Sequence, residues 1–210
     1  GRLYKPSDGT VSMGGMNVSA INLRTWREMC GVVLQDGRLF TDTIRNNIVL
    51  DNEPADDGQL ISCCKVAQIM DDIVQMPRGF ETEIGEQGRG LSGGQKQRLL
   101  IARALYRNPR YLFLDEATNA LDTVNEQKIV EALKSAFADR TVVVVAHRLS
   151  TIRHADQIVV MDQGRIVEIG RHEALMKTGG VYSRMIQSQG NGNGPDNVER
   201  REDTVEKTPL

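Results

Sequence analysis

An α/β fold built on a parallel sheet is predicted for this chain of 210 residues on three observations. Short apolar runs at 30–34, 111–114 and 141–146 alternate with helix-patterned stretches, most clearly at 95–107 and 125–137, as in strand–helix–strand crossovers. The run 141–146, Thr-Val-Val-Val-Val-Ala, is too apolar for a half-exposed strand and is expected to be buried. At 40% hydrophobic residues the chain can bury a real core, and its length suits one domain, or one domain plus a tail.

The elements follow in order. Residues 1–8 read as the end of something, with no initiating Met and a turn marked by Pro6 and Gly9. Residues 10–13 and 16–20 flank Gly14-Gly15, a hairpin signal. Residues 30–34 form a short apolar strand. Residues 57–69 have helical spacing at Leu60, Ile61, Cys64, Ala67 and Ile69. The helix 95–107 interleaves Leu99, Leu100, Ala102 and Leu105 with Lys and Arg. A buried strand at 111–114, the helix 125–137 and the strand 141–146 complete the α/β part. Residues 157–161 and 165–169 bracket Asp162-Gln163-Gly164, a second hairpin. At Gln189 the composition turns to Gly, Asn and charge, so residues 189–210 are expected to form a disordered tail.

Charge and cysteine usage narrow the class. A net charge of −2, a pI near 6.0 and only 4% aromatics give no footprint for nucleic acid. Cys30, Cys63 and Cys64 form no CxxC pair, so small reduced hydrophobes are expected rather than a disulfide or metal framework. No apolar run approaches the roughly 20 residues of a membrane-spanning helix. Any membrane link would come through a partner or another segment.

Two places carry the chemistry. The run Tyr111-Leu112-Phe113-Leu114 delivers Asp115 and Glu116 to a strand's C-terminal end, where α/β folds bind ligands. Asp115 could hold Mg²⁺ and Glu116 could polarise an attacking water, although many strands end in an acidic pair that only caps a helix. The second place is Leu91-Ser92-Gly93-Gly94-Gln95, just before a helix. Glycines let backbone N–H groups approach an anion, and a helix N-terminus adds unpaired donors and a positive dipole end. The plainer reading is a Ser N-cap beside flexible glycines.

The two together, with the helix between them, resemble the signature motif, signature helix and Walker B strand of ABC transporter nucleotide-binding domains. The likeness continues in order along residues 1–188. Gln35 resembles the Q-loop glutamine. Asn119-Ala120-Leu121-Asp122 resembles the D-loop, with Asn119 where the family more often has Ser. His147, within Ala-His-Arg-Leu-Ser, resembles the switch histidine; His154 and His172 have no such context. Residues 82–88 resemble the X-loop of exporter-type cassettes, and 43–48 look exporter-like. The wording of residues 32–40 and 104–109 is similar to bacterial peptide and bacteriocin exporters with a fused peptidase.

The resemblance implies a P-loop NTPase-like parallel sheet with a helical signature subdomain, and a head-to-tail dimer with ATP between subunits. It implies Mg²⁺ supported by Asp115 and Gln35, Glu116 as general base, and His147 on the γ-phosphate. Leu91, Ser92, Gly93, Gly94 and Gln95 would contact the nucleotide of the other subunit, and Asp122 would couple the two sites. Its partners would be a second nucleotide-binding domain and a transmembrane domain at the cytoplasmic face of the plasma membrane. One departure stands out: the phosphate loop G-x-x-x-x-G-K-[ST] is absent, and no Gly-Lys dipeptide occurs. In the family that loop, and the aromatic that stacks on adenine, lie upstream of what is here Gly1, so the cassette is expected to be incomplete at its N-terminus. A soluble ABC ATPase of DNA repair or translation, and an inert fragment, are the alternatives.

Overall fold

The computed structural model describes residues 5–50, 55–117, 121, 123–145 and 152–190. They fall into two compact units, Gly1–Thr151 and Ile152–Leu210.

In the first unit, β1 (Ser12–Met13) and β2 (Met16–Asn17) pair antiparallel. Gly14 (φ 56) and Gly15 (φ 77) supply the two left-handed positions that a tight hairpin turn needs. The second strand is shorter than its expected 16–20. The Asn17 side chain accepts the Ser19 N–H, and Val18–Ala20 wind into a 3₁₀ turn. Asn22 caps α1 (Leu23–Met29), which runs directly into β3 (Cys30–Val33). Then come β4 (Asp42–Thr43), α2 (Ile44–Val49), α3 (Asp57–Val66), α4 (Met70–Gln75) and β5 (Glu83–Ile84). The unit continues through α5 (Gly93–Tyr106), β6 (Tyr111–Asp115), α6 (Thr123–Ala136) and β7 (Thr141–Val145).

The helix expected over 57–69 is broken. Gln68 turns left-handed (φ 55), and the Ile69 N–H reaches back to the Cys64 carbonyl at 3.0 Å, closing α3 before α4 begins. The apolar spacing persists because Ala67 and Ile69 remain in the core outside the helix.

The central sheet has the order β3-β6-β7, with both pairings parallel as predicted. Its register sets Val33 opposite Leu114 and Asp115 opposite Val145. One face is covered. Val33, Leu112 and Leu114 join Leu99, Ile101, Ala102 and Leu105 of α5 in the main core. The approach is close at Gly31, where a Cβ would lie 2.7 Å from the Ala104 carbonyl and 2.8 Å from the Pro109 ring. Cys63 and Cys64 are buried in this core as free thiols. The contact with Cys63, together with burial, pushes the Cys64 thiol far above its ordinary range, in keeping with a packing role.

The strand 141–146 departs from expectation. β7 is not buried: Val143, Val144 and Val145 are 42%, 36% and 54% exposed. β7 lies at one end of the three-stranded order, and among the described residues the core packs against one face, so alternate valines point away from it.

In the second unit β8 (Ile158–Asp162) and β9 (Arg165–Gly170) form the second predicted hairpin. Gln163 (φ 45) and Gly164 (φ 76) make its turn. Two helices follow, α7 (His172–Thr178) and α8 (Val181–Gly190). The Glu168 carboxylate accepts the Val181 and Tyr182 N–H groups at 2.8 and 3.0 Å, anchoring the start of α8. A Cβ on Gly180 would collide with that same carboxylate. His172 Nδ1 lies 2.8 Å from the Tyr182 hydroxyl, a local structural contact. α8 extends to Gly190, past the expected start of the tail at Gln189; residues 191–210, the rest of that expected tail, lie outside the described residues. No described helix is long and apolar enough to cross a membrane.

Candidate active site

The acidic pair stands where strand alternation delivers it. Leu112 and Leu114 face the core, and Asp115 ends β6 exposed at the strand's C-terminal edge. Glu116, the next residue, is half-buried and takes a left-handed backbone conformation (φ 48) that few non-glycine residues adopt. Two hydrogen bonds hold its backbone. Its N–H donates to the Val145 carbonyl at the end of β7 (2.9 Å), and its carbonyl accepts from Gln97 Nε2 of α5 (3.2 Å).

Because all three strands are parallel, their C-terminal ends share this edge. β3 ends there, and Gln35 follows it as an exposed residue in a turn closed by the Gly37 N–H on the Leu34 carbonyl (3.1 Å). The turn is set against α5. A Cβ on Gly37 would lie 2.9 Å from Leu100 Cδ1. Arg103 of α5 clamps the chain beyond it, donating to the Arg38 carbonyl (2.8 Å), the Asn47 carbonyl (2.6 Å) and Asn47 Oδ1 (2.9 Å). Its guanidinium also stacks 5.3 Å from the Phe40 ring centroid. Burial pulls the Arg103 pKa below the usual guanidinium value.

The helix start at 91–95 is a capping box. Ser92 Oγ accepts the Gln95 N–H (3.2 Å), and Gln95 Oε1 accepts the Ser92 N–H (2.9 Å). Gln95 Nε2 donates to Asp72 Oδ1 of α4 (2.7 Å), while Arg98 Nη2 donates to Asp72 Oδ2 (2.9 Å). Both ends of the Gln95 amide are thus engaged inside the protein, and its side chain supports the cap. Ser92 and Gly93 are exposed, and Leu91 and Gly94 half-buried. The first N–H groups of α5, on Gly93 and Gly94, have no intrahelical acceptor. A helix of 14 residues with glycines at its start and a free Ser92 hydroxyl proton can receive an anion. Residues 82–88 also abut α5: β5 pairs with β4, and Gly88 (φ 79) lies over the Lys96 stem, where a Cβ would be 2.9 Å from Cε.

The parallel sheet brings Gln35, Asp115 and Glu116 to one edge, and α5 connects that edge to Ser92. Two of the expected site residues, Asp122 and His147, lie outside the described residues; β7 ends at Val145, two positions before His147. Three residues that sequence reasoning did not single out tie the parts together: Asp72, Gln97 and Arg103. The pattern Ser-x-x-Gln was a readable signal for the capping box. Nothing in the sequence marks the partners that Gln97, Arg103 or Asp72 would find.

The donors fit a hard divalent cation. Mg²⁺ takes oxygen ligands and is commonly bound by one or two carboxylates plus substrate phosphates. Asp115 offers one exposed carboxylate at the strand edge, and among the described residues no three potential ligands cluster, as a dedicated protein cage would require.

A parallel sheet with an acidic strand end, a glutamine turn beside it and a glycine-led, capped helix between them is the architecture of an ATP-binding cassette. Residues 1–119 match the ABC transporter family, and the chain belongs to that family. P-glycoprotein 14 of Caenorhabditis elegans is 45% identical over 202 residues, which is 96% of this chain and 15% of that protein. The ATP-dependent lipid A-core flippase of Chromobacterium violaceum is 47% identical over 188 residues, 90% of this chain and 32% of the flippase. Among solved structures, a bacterial Atm1-family ABC exporter with ATP bound superposes with a TM-score of 0.86 at 41% identity. That match covers 90% of this chain and 33% of the exporter chain. The chain therefore spans a third or less of the length of these relatives.

Proposed function

We propose that this chain is the ATP-hydrolysing core of an ABC exporter, coupling ATP-driven association of two cassettes to movement of a transmembrane domain. The observation that carries the reading is the common edge of β3, β6 and β7, where Gln35, Asp115 and Glu116 meet beside the helix opened by Ser92. The exporter relatives support it.

In this reading Asp115, with Gln35, holds Mg²⁺, which when bound neutralises phosphate oxygens. Glu116 accepts a proton from the attacking water as the water oxygen bonds to the γ-phosphorus and the bond to the β-phosphate oxygen breaks, giving ADP and inorganic phosphate. Ser92 and the Gly93 and Gly94 N–H groups receive the γ-phosphate held by the opposing cassette. His147 contacts the same phosphate, and Asp122 links the two sites. Residues near Gln35 and 82–88, both seated on α5, relay closure to the membrane domain, which holds the cassette at the cytoplasmic face of the membrane. A peptide cargo and a fused peptidase rest on the wording of residues 32–40 and 104–109 alone.

The test is Glu116→Gln in an intact polypeptide that joins these residues to a phosphate loop. Hydrolysis is expected to fall about 10²–10⁴-fold, with ATP binding retained. Turnover at the wild-type rate would remove Glu116 from the role of base.

A further inference from the structure

We propose that Gln97 is a positioning residue for Glu116, acting through the backbone of that glutamate. The inference rests on Glu116 being the general base and names the group that aims it.

The direction in which a side chain leaves the backbone follows from φ and ψ. At Glu116 φ is 48°, in the left-handed range that residues other than glycine, asparagine and aspartate enter at a cost and keep only where surrounding structure imposes it. The structure imposes it from two sides. β7 takes the N–H through the Val145 carbonyl, and Gln97 holds the carbonyl. One bond fixes the orientation of the peptide before the Cα, and the other fixes that of the peptide after it. Had Glu116 relaxed to an extended conformation, it would continue the line of β6 and its carboxylate would leave in another direction.

The placement of Gln97 gives the contact its consequence. It is only 8% exposed, on the second turn of the helix that Ser92 opens. Gln95 and Arg98, on either side of it in sequence, both bond the Asp72 carboxylate of α4, so the start of α5 is pinned to α4. The helix that presents Ser92 is therefore also the body against which Glu116 is held. A buried glutamine could bond a nearby carbonyl for packing alone; the two roles separate in kinetics.

In the intact polypeptide used for Glu116→Gln, Gln97→Met keeps nearly the same volume and removes the donor. Turnover is expected to fall about 10–10²-fold, the scale on which a small misplacement of a reacting group is felt. The KM for ATP and the melting temperature should hold. A double-mutant cycle supplies the sharper readout. In the Glu116→Gln background, where no base remains to be aimed, Gln97→Met should cause no further loss. Equal losses in both backgrounds would assign Gln97 a purely structural role and overturn the proposal. Full activity of Gln97→Met beside an inactive Glu116→Gln would overturn it alone, whereas full activity of Glu116→Gln would overturn the base assignment and the proposal together. If Gln97→Met does not fold, Gln97→Asn keeps a buried amide one methylene short of the carbonyl, and the same cycle decides.

Discussion

The two faces of the β3-β6-β7 sheet are written in the same apolar alphabet and meet different surroundings. Toward α5, Val33, Leu112 and Leu114 are 2%, 0% and 4% exposed. On the other face Val32, Leu34, Val143 and Val145 are 43%, 49%, 42% and 54% exposed. There, Val32, Leu34, Phe113, Asp115, Val143 and Val145 line a groove of about 240 Å³. The hydrophobic effect rewards burial and is indifferent to which element provides it. Strands of this composition ask for cover on both faces. Among the described residues one face receives it, and the groove ends at the Asp115 carboxylate.

Three variants probe that difference, in decreasing order of effect. Leu112→Ala, on the covered face, should cost about 2–5 kcal/mol through lost burial and a residual cavity, read as a lowered chemical-denaturation midpoint. A loss under 1 kcal/mol would mean that the α5 face is looser than its burial implies. Arg103→Met removes three hydrogen bonds from a half-buried cation to Arg38 and Asn47. It should cost about 2 kcal/mol and speed amide exchange in the turn after Gln35, with β6 unaffected. Val143→Thr with Val145→Thr, on the open face, should change stability by no more than about 0.5 kcal/mol. The pair should also reduce binding of a hydrophobic dye and light scattering by the isolated chain. Strong destabilisation would mean that this face is covered in solution.

Much of the fold was legible. Gly14-Gly15 and Gln163-Gly164 announced two hairpins because a two-residue turn needs left-handed backbone, and both formed. The strand ending in Asp115-Glu116 and the helix after Ser92 were readable because alternation, length and cap chemistry are local properties. What escaped the sequence was non-local. α3 stops at Val66 because Gln68 turns left-handed while Ile69 still fills the core, so the apolar period runs on after the helix has ended. The exposure of β7 depends on strand order and on what lies over the sheet, neither of which the valine run encodes. At the site, residue types and spacing pointed to Ser92, Asp115 and Glu116, and the family resemblance added Gln35. The groups that hold them, Gln97, Asp72 and Arg103, are polar residues on helices whose partners lie 19 to 65 positions away. The resemblance also pointed to Gln95 as a nucleotide contact; within this chain its amide bonds the Ser92 N–H and Asp72.

In the second unit, the Glu168 carboxylate occupies the space that any side chain at position 180 would need, and it receives the first two N–H groups of α8. The two positions therefore share one steric allowance. Enlarging residue 180 evicts the carboxylate and detaches the helix start, while shortening residue 168 frees the space but abandons the anchor. Neither site can drift alone without penalty. A lineage that changes one must change the other, so positions 168 and 180 should travel through evolution as a linked pair.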